Sequence, residues 1–268
     1  VADLLRPGAP AAATARVLPP AALPLAPLKL IDATLAWKID SLQAPRMPAL
    51  TGLQLRATLD QGQLQVALQD TQLAGGRLSG QFVLDSQAAS PKARIELQAK
   101  NLRLEKMLPA PVRIEGPVSG QLKLSGHGPS VAAWLGSASG RLGLALPSGS
   151  LSPGLDAKLA LNVGKLVRSY FSSDKAVPIR CGALKVDFAD GSGRVRQLVL
   201  DTERTRVDGL GQVQLREESW SLLLTPQAHQ RALLALNSSL RVQGSFRDAG
   251  ITLVDRQPID PGAASGCD

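Results

Sequence analysis

A chain of 268 residues with 44% hydrophobic residues can build a real core, either as one large β domain or as two smaller ones. Aromatic residues are only 3%, too few for the ring stacking that nucleic-acid binding requires, while a net charge of +8 and a pI near 9.9 suit contact with anionic surfaces. Arg56, Arg77, Arg94, Arg141, Arg196, Arg206 and Arg216 are scattered rather than striped, which fits solvated strand faces better than one anion site.

Residues 1–24 are rich in Ala and Pro without any period (PGAPAAATARVLPPAALP from Pro7) and predict an extended linker. Each proline there removes a backbone donor and disfavours helix at the residue before it. Structure is expected from Leu25, with LAWKID from Leu35 as the first full strand. Across residues 25–110 apolar and polar residues then alternate, in LQLRATL from Leu53, LQVAL from Leu64 and IELQA from Ile95. A period of two gives each strand one aliphatic and one polar face, an arrangement that antiparallel sheets tolerate because one face can stay wet. Turns such as Asp60 to Gly62 supply residues that accept positive φ.

Residues 111–178 form a middle segment with strands VSGQLKL from Val118 and RLGLAL from Arg141. PSVAAWLGS from Pro129 predicts a short helix, with Ser130 as its N-cap and Gly136 as its stop. LDAKLALNVGKLVRSYF places Leu155, Leu159, Val163, Leu166, Val167 and Tyr170 at helical spacing. That amphipathic helix is expected to plug one end of the sheet or lie across its apolar face. Residues 179–257 then repeat the plan of the first unit: strand, turn at Asp190–Gly191, strand, turn, strand from Leu184 to Leu215, continued by WSLLL from Trp220. Residues 258–268 are a tail. Self-similarity at this scale signals stacked units, each too thin to bury its own face, so residues 25–257 are expected to form one continuous domain. The fold class predicted is mainly β: a curved antiparallel β-meander or groove with two repeated β-units and one or two short amphipathic helices between them. Gly80, Gly120, Gly140, Gly209, Gly211 and Gly244, inside strand-like segments, predict sharp bending or close backbone approach.

The residues carry little catalytic chemistry. Neither His127, between two glycines, nor His229 has a neighbouring Cys or carboxylate pattern that would make a metal cluster or triad. GSLSPG from Gly149 lacks the spacing of a nucleophile elbow, and GLGQVQ from Gly209 fails the dinucleotide fingerprint at its third glycine. Glu217 and Glu218 precede a strand and read as solubilising charge. The triplet from Asn237 to Ser239 is a glycosylation-type sequon, informative only in a eukaryotic secretory setting. No enzyme, cofactor or metal is therefore expected. Cys181 and Cys267 fit no zinc or redox spacing; in an oxidising compartment they can pair and close a long loop, and otherwise they are two free thiols.

Several stretches, in order, resemble the carboxy-terminal region of the AsmA family of bacterial envelope proteins: LKLIDATL from Leu28, LAGGRLSGQF from Leu73, GPVSGQLKLSGHGPSVAAWL from Gly116, ASGRLGLALPSGSL from Ala138, RCGALKVDFADG from Arg180, LDTERTRVDGLGQVQL from Leu200 and VQGSFRD from Val242. The likeness runs from about Leu25 to Leu253. It implies a periplasmic body tethered to the inner membrane, an elongated β-groove with an apolar interior, and a part in outer-membrane homeostasis through phospholipid transport. It transfers no catalytic residues. No apolar run approaches the ~20 residues that span a bilayer, and no signal peptide is visible, so the membrane anchor is expected upstream of Val1.

An unclosed, one-sided aliphatic sheet must pack on itself or hold something apolar. The residues expected to line such a groove are Leu53, Leu55, Leu64, Val66, Leu68, Phe82, Leu84, Ile95, Leu97, Leu122, Leu124, Val213 and Leu215. Acyl chains suit these walls because they need no hydrogen bonds. The leading expectation is a non-enzymatic module that shields phospholipid acyl chains between membranes. The alternatives are a scaffold that docks envelope partners through its sheet edges, with these residues forming an ordinary core, and nucleic-acid binding, disfavoured by the missing rings.

Overall fold

The computed structural model describes residues 16–43, 48–108, 114–151, 176–229, 238–259 and 267. The strands are β1 (Ala33–Leu42), β2 (Leu50–Asp60), β3 (Gln63–Leu73), β4 (Gly76–Asp85), β5 (Lys92–Arg103), β6 (Ile114–Glu115), β7 (Pro117–His127), β8 (Ser139–Leu146), β9 (Gly149–Leu151), β10 (Val177–Ala189), β11 (Ser192–Thr202), β12 (Thr205–Gln214), β13 (Ser219–Ala228), β14 (Ser238–Ser245) and β15 (Ala249–Asp255). Thirteen of them follow one another in a single open antiparallel sheet from β1 to β15, and β6 and β9 form a small flap on the start of β10. The mainly β, curved meander read from the alternation is therefore the fold.

The two repeated units are β2–β4 and β10–β12. Their first turns are built alike: Gln61 and Gly62 have φ of 45° and 74°, and Asp190 and Gly191 have 46° and 77°. Two consecutive positive φ angles match the right-handed twist of the flanking strands. Their second turns follow Asp70–Thr71 and Asp201–Thr202, in which both threonines are buried and hydrogen-bond to nearby backbone carbonyls.

Two short helices interrupt the described strands, α1 (Leu104–Met107) and α2 (Val131–Gly136). Helix α2 is the one predicted, with the Ser130 hydroxyl accepting from the Ala133 N–H at 3.1 Å. The helix expected around residues 155–170 lies outside the described residues. From its place between β7 and β8, α2 reaches both ways. Trp134 meets the ring of Phe82 on β4 at 6.1 Å, while the Gly136 carbonyl accepts from Arg216, just past β12, at 2.8 Å. Six interstrand steps of about 4.8 Å, roughly 29 Å, separate β4 from β12 on a flat sheet. Trp134 and Gly136 stand two residues apart in one helical turn, so the sheet bends around α2 to bring both contacts together.

The stretch assigned by composition to a linker is held from Arg16 onward. Its carbonyl at Arg16 accepts from Arg247; the N–H groups of Val17 and Leu18 donate to the Glu218 carboxylate; Pro19 and Leu23 pair with Ala132 and Pro129 at α2; and Asp32 accepts from the Gln61 N–H at 2.7 Å. This strap links the turns at one end of the strands like a drawstring. Glu218 is thus no solubilising charge: it is 4% exposed and clasps the strap, unlike its neighbour Glu217, which is exposed.

At the other end of the strands two buried clusters form. One gathers Leu73, Ala74 and Leu102, the other Leu146, Leu151, Val177 and Ile179 beneath the flap.

Candidate functional site

Directly opposed residues in an antiparallel ladder share a face, so the register shows what each face carries. One row crosses all thirteen strands: Trp37, Leu55, Leu68, Gly80, Leu97, Leu122, Leu142, Val186, Val195, Gly211, Leu222, Val242 and Ile251. A second, one pair nearer α2, runs from Leu35 through Ala57, Val66, Phe82, Ile95 and Leu124 to Phe188, Val213, Trp220 and Ala249, with glycines at 140, 193 and 244. No polar side chain interrupts either row.

The row between them, on the opposite face, is a different surface. It reads Arg56, Ala67, Gln81, Glu96, Lys123, Arg141, Asp187, Arg194, Gln212, Ser221 and Gln243. Opposite charges meet across it, Lys123 with Glu96 at 3.2 Å and, beside it, Arg196 with Asp187 at 2.9 Å. These pairs are largely exposed and solvate the face rather than stabilise it.

The glycines of the apolar face have a packing reason. A Cβ on Gly80 would stand 2.7 Å from a Leu97 methyl, on Gly120 2.5 Å from a Leu144 methyl, and on Gly211 2.7 Å from a Leu222 methyl. Each glycine leaves a slot over which the leucine of the next strand lies. The rows are therefore smooth hydrocarbon, as the close-approach reading of these glycines predicted.

Of the residues expected to line the groove, Leu55, Leu64, Val66, Leu68, Phe82, Leu84, Ile95, Leu97, Leu122, Leu124 and Val213 are joined on this face by register, and Leu53 opposes Ile39 on the same side of β2. Leu215 falls past the end of β12, in a turn where its N–H donates to Gly191, and is not on the ladder. Leu53, Leu84 and Leu124 are buried; the others are half-buried. At the margins the same face is wetter: Leu35 is 49% exposed, Trp37 44% and Leu253 42%. Residues of β8, β13 and β14, such as Leu142, Leu222 and Val242, belong to the same surface; the alternation of RLGLAL and WSLLL marks two of those strands.

At its α2 end Phe82 meets Trp134, and Phe188 and Trp220 belong to the row nearest α2; among the described residues the buried indole N–H groups of Trp134 and Trp220 have no acceptor.

The described polar groups are engaged singly or in pairs. His127 ends β7 and is exposed, and His229 bonds Asp201 at 2.7 Å. Among the described residues no group of three His, Cys, Asp or Glu side chains could hold a metal ion. Asp208, 2% exposed, is the most deeply buried carboxylate and is engaged by Arg206 at 2.9 Å and Gln227 at 3.3 Å. That hydrogen bond, against the opposing effect of burial, raises the pKa of the Arg206 guanidinium. Among the described residues no helix is long and apolar enough to cross a membrane.

The AsmA family profile matches residues 6–199. The AsmA family protein YhjG of Escherichia coli (strain K12) is 28% identical over 179 residues, covering 66% of this chain and 26% of YhjG, so the chain spans about a quarter of that relative's length. No solved structure matches. The chain belongs to the AsmA family, an envelope-associated family.

Proposed function

We propose that this chain is a non-enzymatic periplasmic module, tethered to the inner membrane in the full-length protein, that shelters phospholipid acyl chains in its trough for passage between membranes. The observation that carries this reading is the pair of apolar rows, unbroken across thirteen strands yet half-exposed along much of their length. A surface of that extent facing water gains by covering with hydrocarbon, at about 0.8 kcal/mol for each sheltered methylene. The lack of polar anchors in the two rows lets a chain slide, while headgroups stay at the wet rim. The test is lipid mass spectrometry on the purified protein, with uptake of a fluorescent phospholipid. Co-purified phospholipid and uptake lost in Leu97→Gln/Leu122→Gln are expected; no lipid and no uptake would count decisively against it.

The scaffold reading has one observation of its own. β1 is an edge strand, and most of its residues are exposed. Such an edge is a template for an added strand. Crosslinking to an envelope protein at β1, without any lipid, would favour it.

A further inference from the structure

Behind the second unit, opposite the trough, runs a row that ought to be wet but is not. Ala183, Val199, Asp208 and Thr225 oppose one another across β10–β13, and Ser239 on β14 meets Thr225, hydroxyl to hydroxyl at 2.8 Å. Thr225 and Ser239 are 0% exposed and Val199 is 3%. Residues just beyond β15 cover the Thr225–Ser239 end of this row. The Gln257 carbonyl accepts from Thr225 at 3.0 Å, the Gln257 N–H donates to Ser239 at 3.1 Å, and Ile259 is buried. The tail is fixed at the far side of the row by a disulfide between Cys267 and Cys181 on β10, next to Ala183. Both cysteines are half-buried rather than sealed.

We infer that this disulfide is a redox latch that keeps residues 256–259, which follow β15, docked on the back of the second β-unit. The tail's described grip on the sheet is a few hydrogen bonds and one buried isoleucine. A segment held so lightly opens locally, and the crosslink keeps it at high effective concentration over its site. The latch opens by thiol–disulfide exchange with a dithiol reductant. One thiolate attacks a latch sulfur, the S–S bond breaks and a mixed disulfide forms; the second thiol then displaces the remaining protein sulfur. Two electrons and two protons pass to Cys181 and Cys267, and the reductant leaves as its own disulfide. Opening uncovers a face with hydroxyls and small apolar side chains.

The test is amide hydrogen exchange on the full chain, oxidised and after dithiothreitol with alkylation of the thiols. Reduction is expected to speed exchange of the Gln257 amide about tenfold or more while amides of β2–β5 change less than about twofold. Cys267→Ser should reproduce the reduced pattern without reductant. Unchanged protection at Gln257, protection lost throughout the sheet, or a bond that dithiothreitol cannot reduce without denaturant would each overturn the latch.

Discussion

The two β-units share a front and differ in their backs. In β2–β4 and β10–β12 the first turns have the same φ angles and the slot glycines Gly80 and Gly211 meet near-identical neighbours: a carbonyl at 2.2 Å and a leucine methyl at 2.7 Å from a would-be Cβ. Behind β2–β4, however, stand the largely exposed Gln54, Arg56, Gln65, Gln69 and Gln81, whereas behind β10–β13 Val199, Asp208 and Thr225 are buried and Gln257 bonds Thr225. A repeated apolar front on unequal backs indicates that the trough is the common element. The second unit's back receives the segment that follows β15.

If the fronts are equivalent, Gly80→Ala and Gly211→Ala should cost alike, about 3 kcal/mol each, because the new methyl meets backbone oxygen that cannot yield without moving a strand. Gly143→Ala, with nothing within 4 Å, should be neutral or stabilising by about 0.5 kcal/mol. Urea midpoints of the three variants measure this. A large cost at only one slot would break the equivalence.

The clasp on the strap comes next. Glu218→Ala removes a buried acceptor from two backbone donors and should cost about 2 kcal/mol, while the adjacent Glu217→Ala stays within about 0.5 kcal/mol. Proteolysis within residues 16–25 should accelerate in the first variant alone. The backs then separate by a smaller margin. Thr225→Val strands the Gln257 carbonyl and is expected to cost about 1 kcal/mol; Thr58→Val, behind the first unit, is expected to stay within about 0.5 kcal/mol in the same denaturation assay.

The front was readable from the sequence and the backs were not, for a physical reason. Alternation in LQLRATL or LQVAL fixes which side chains share a face, and Ser130 announces α2 through its hydroxyl. These are local signals. The role of Glu218 depends on Val17 and Leu18, some 200 residues away, and Ala/Pro composition cannot distinguish a free linker from an extended strap. Cys181 and Cys267 lie 86 residues apart, so spacing left both pairing and free thiols open until the fold set their Cα atoms 5.9 Å apart. At Leu215 the alternation of VQL runs one residue past the last ladder pair, Gln214 with Ser219, so the strand period there no longer sets a face.

The smallest effect concerns the joint between the units, where α1 passes into the flap. Burial pushes the Glu105 carboxyl up, but hydrogen bonds from its own N–H and that of Gly116, with the charges of Arg103 and Lys106, outweigh it and hold the pKa below the ordinary glutamate range. A carboxylate whose folded pKa is lowered contributes stability that is complete above the unfolded value and lost as pH falls through the folded one. The contribution should therefore be constant near neutrality and fade as the pH falls through the lowered pKa, as Glu105 protonates and its bond to Gly116 weakens. Because the group is largely exposed, water and salt screen most of it, and the loss should be a slight lowering of the urea midpoint. Glu105→Gln should flatten that part of the acid limb and leave the Gly80 and Gly211 comparison untouched. An unchanged acid limb would mean that the joint is held by Leu104 and Ile114 packed on the Leu146 cluster alone.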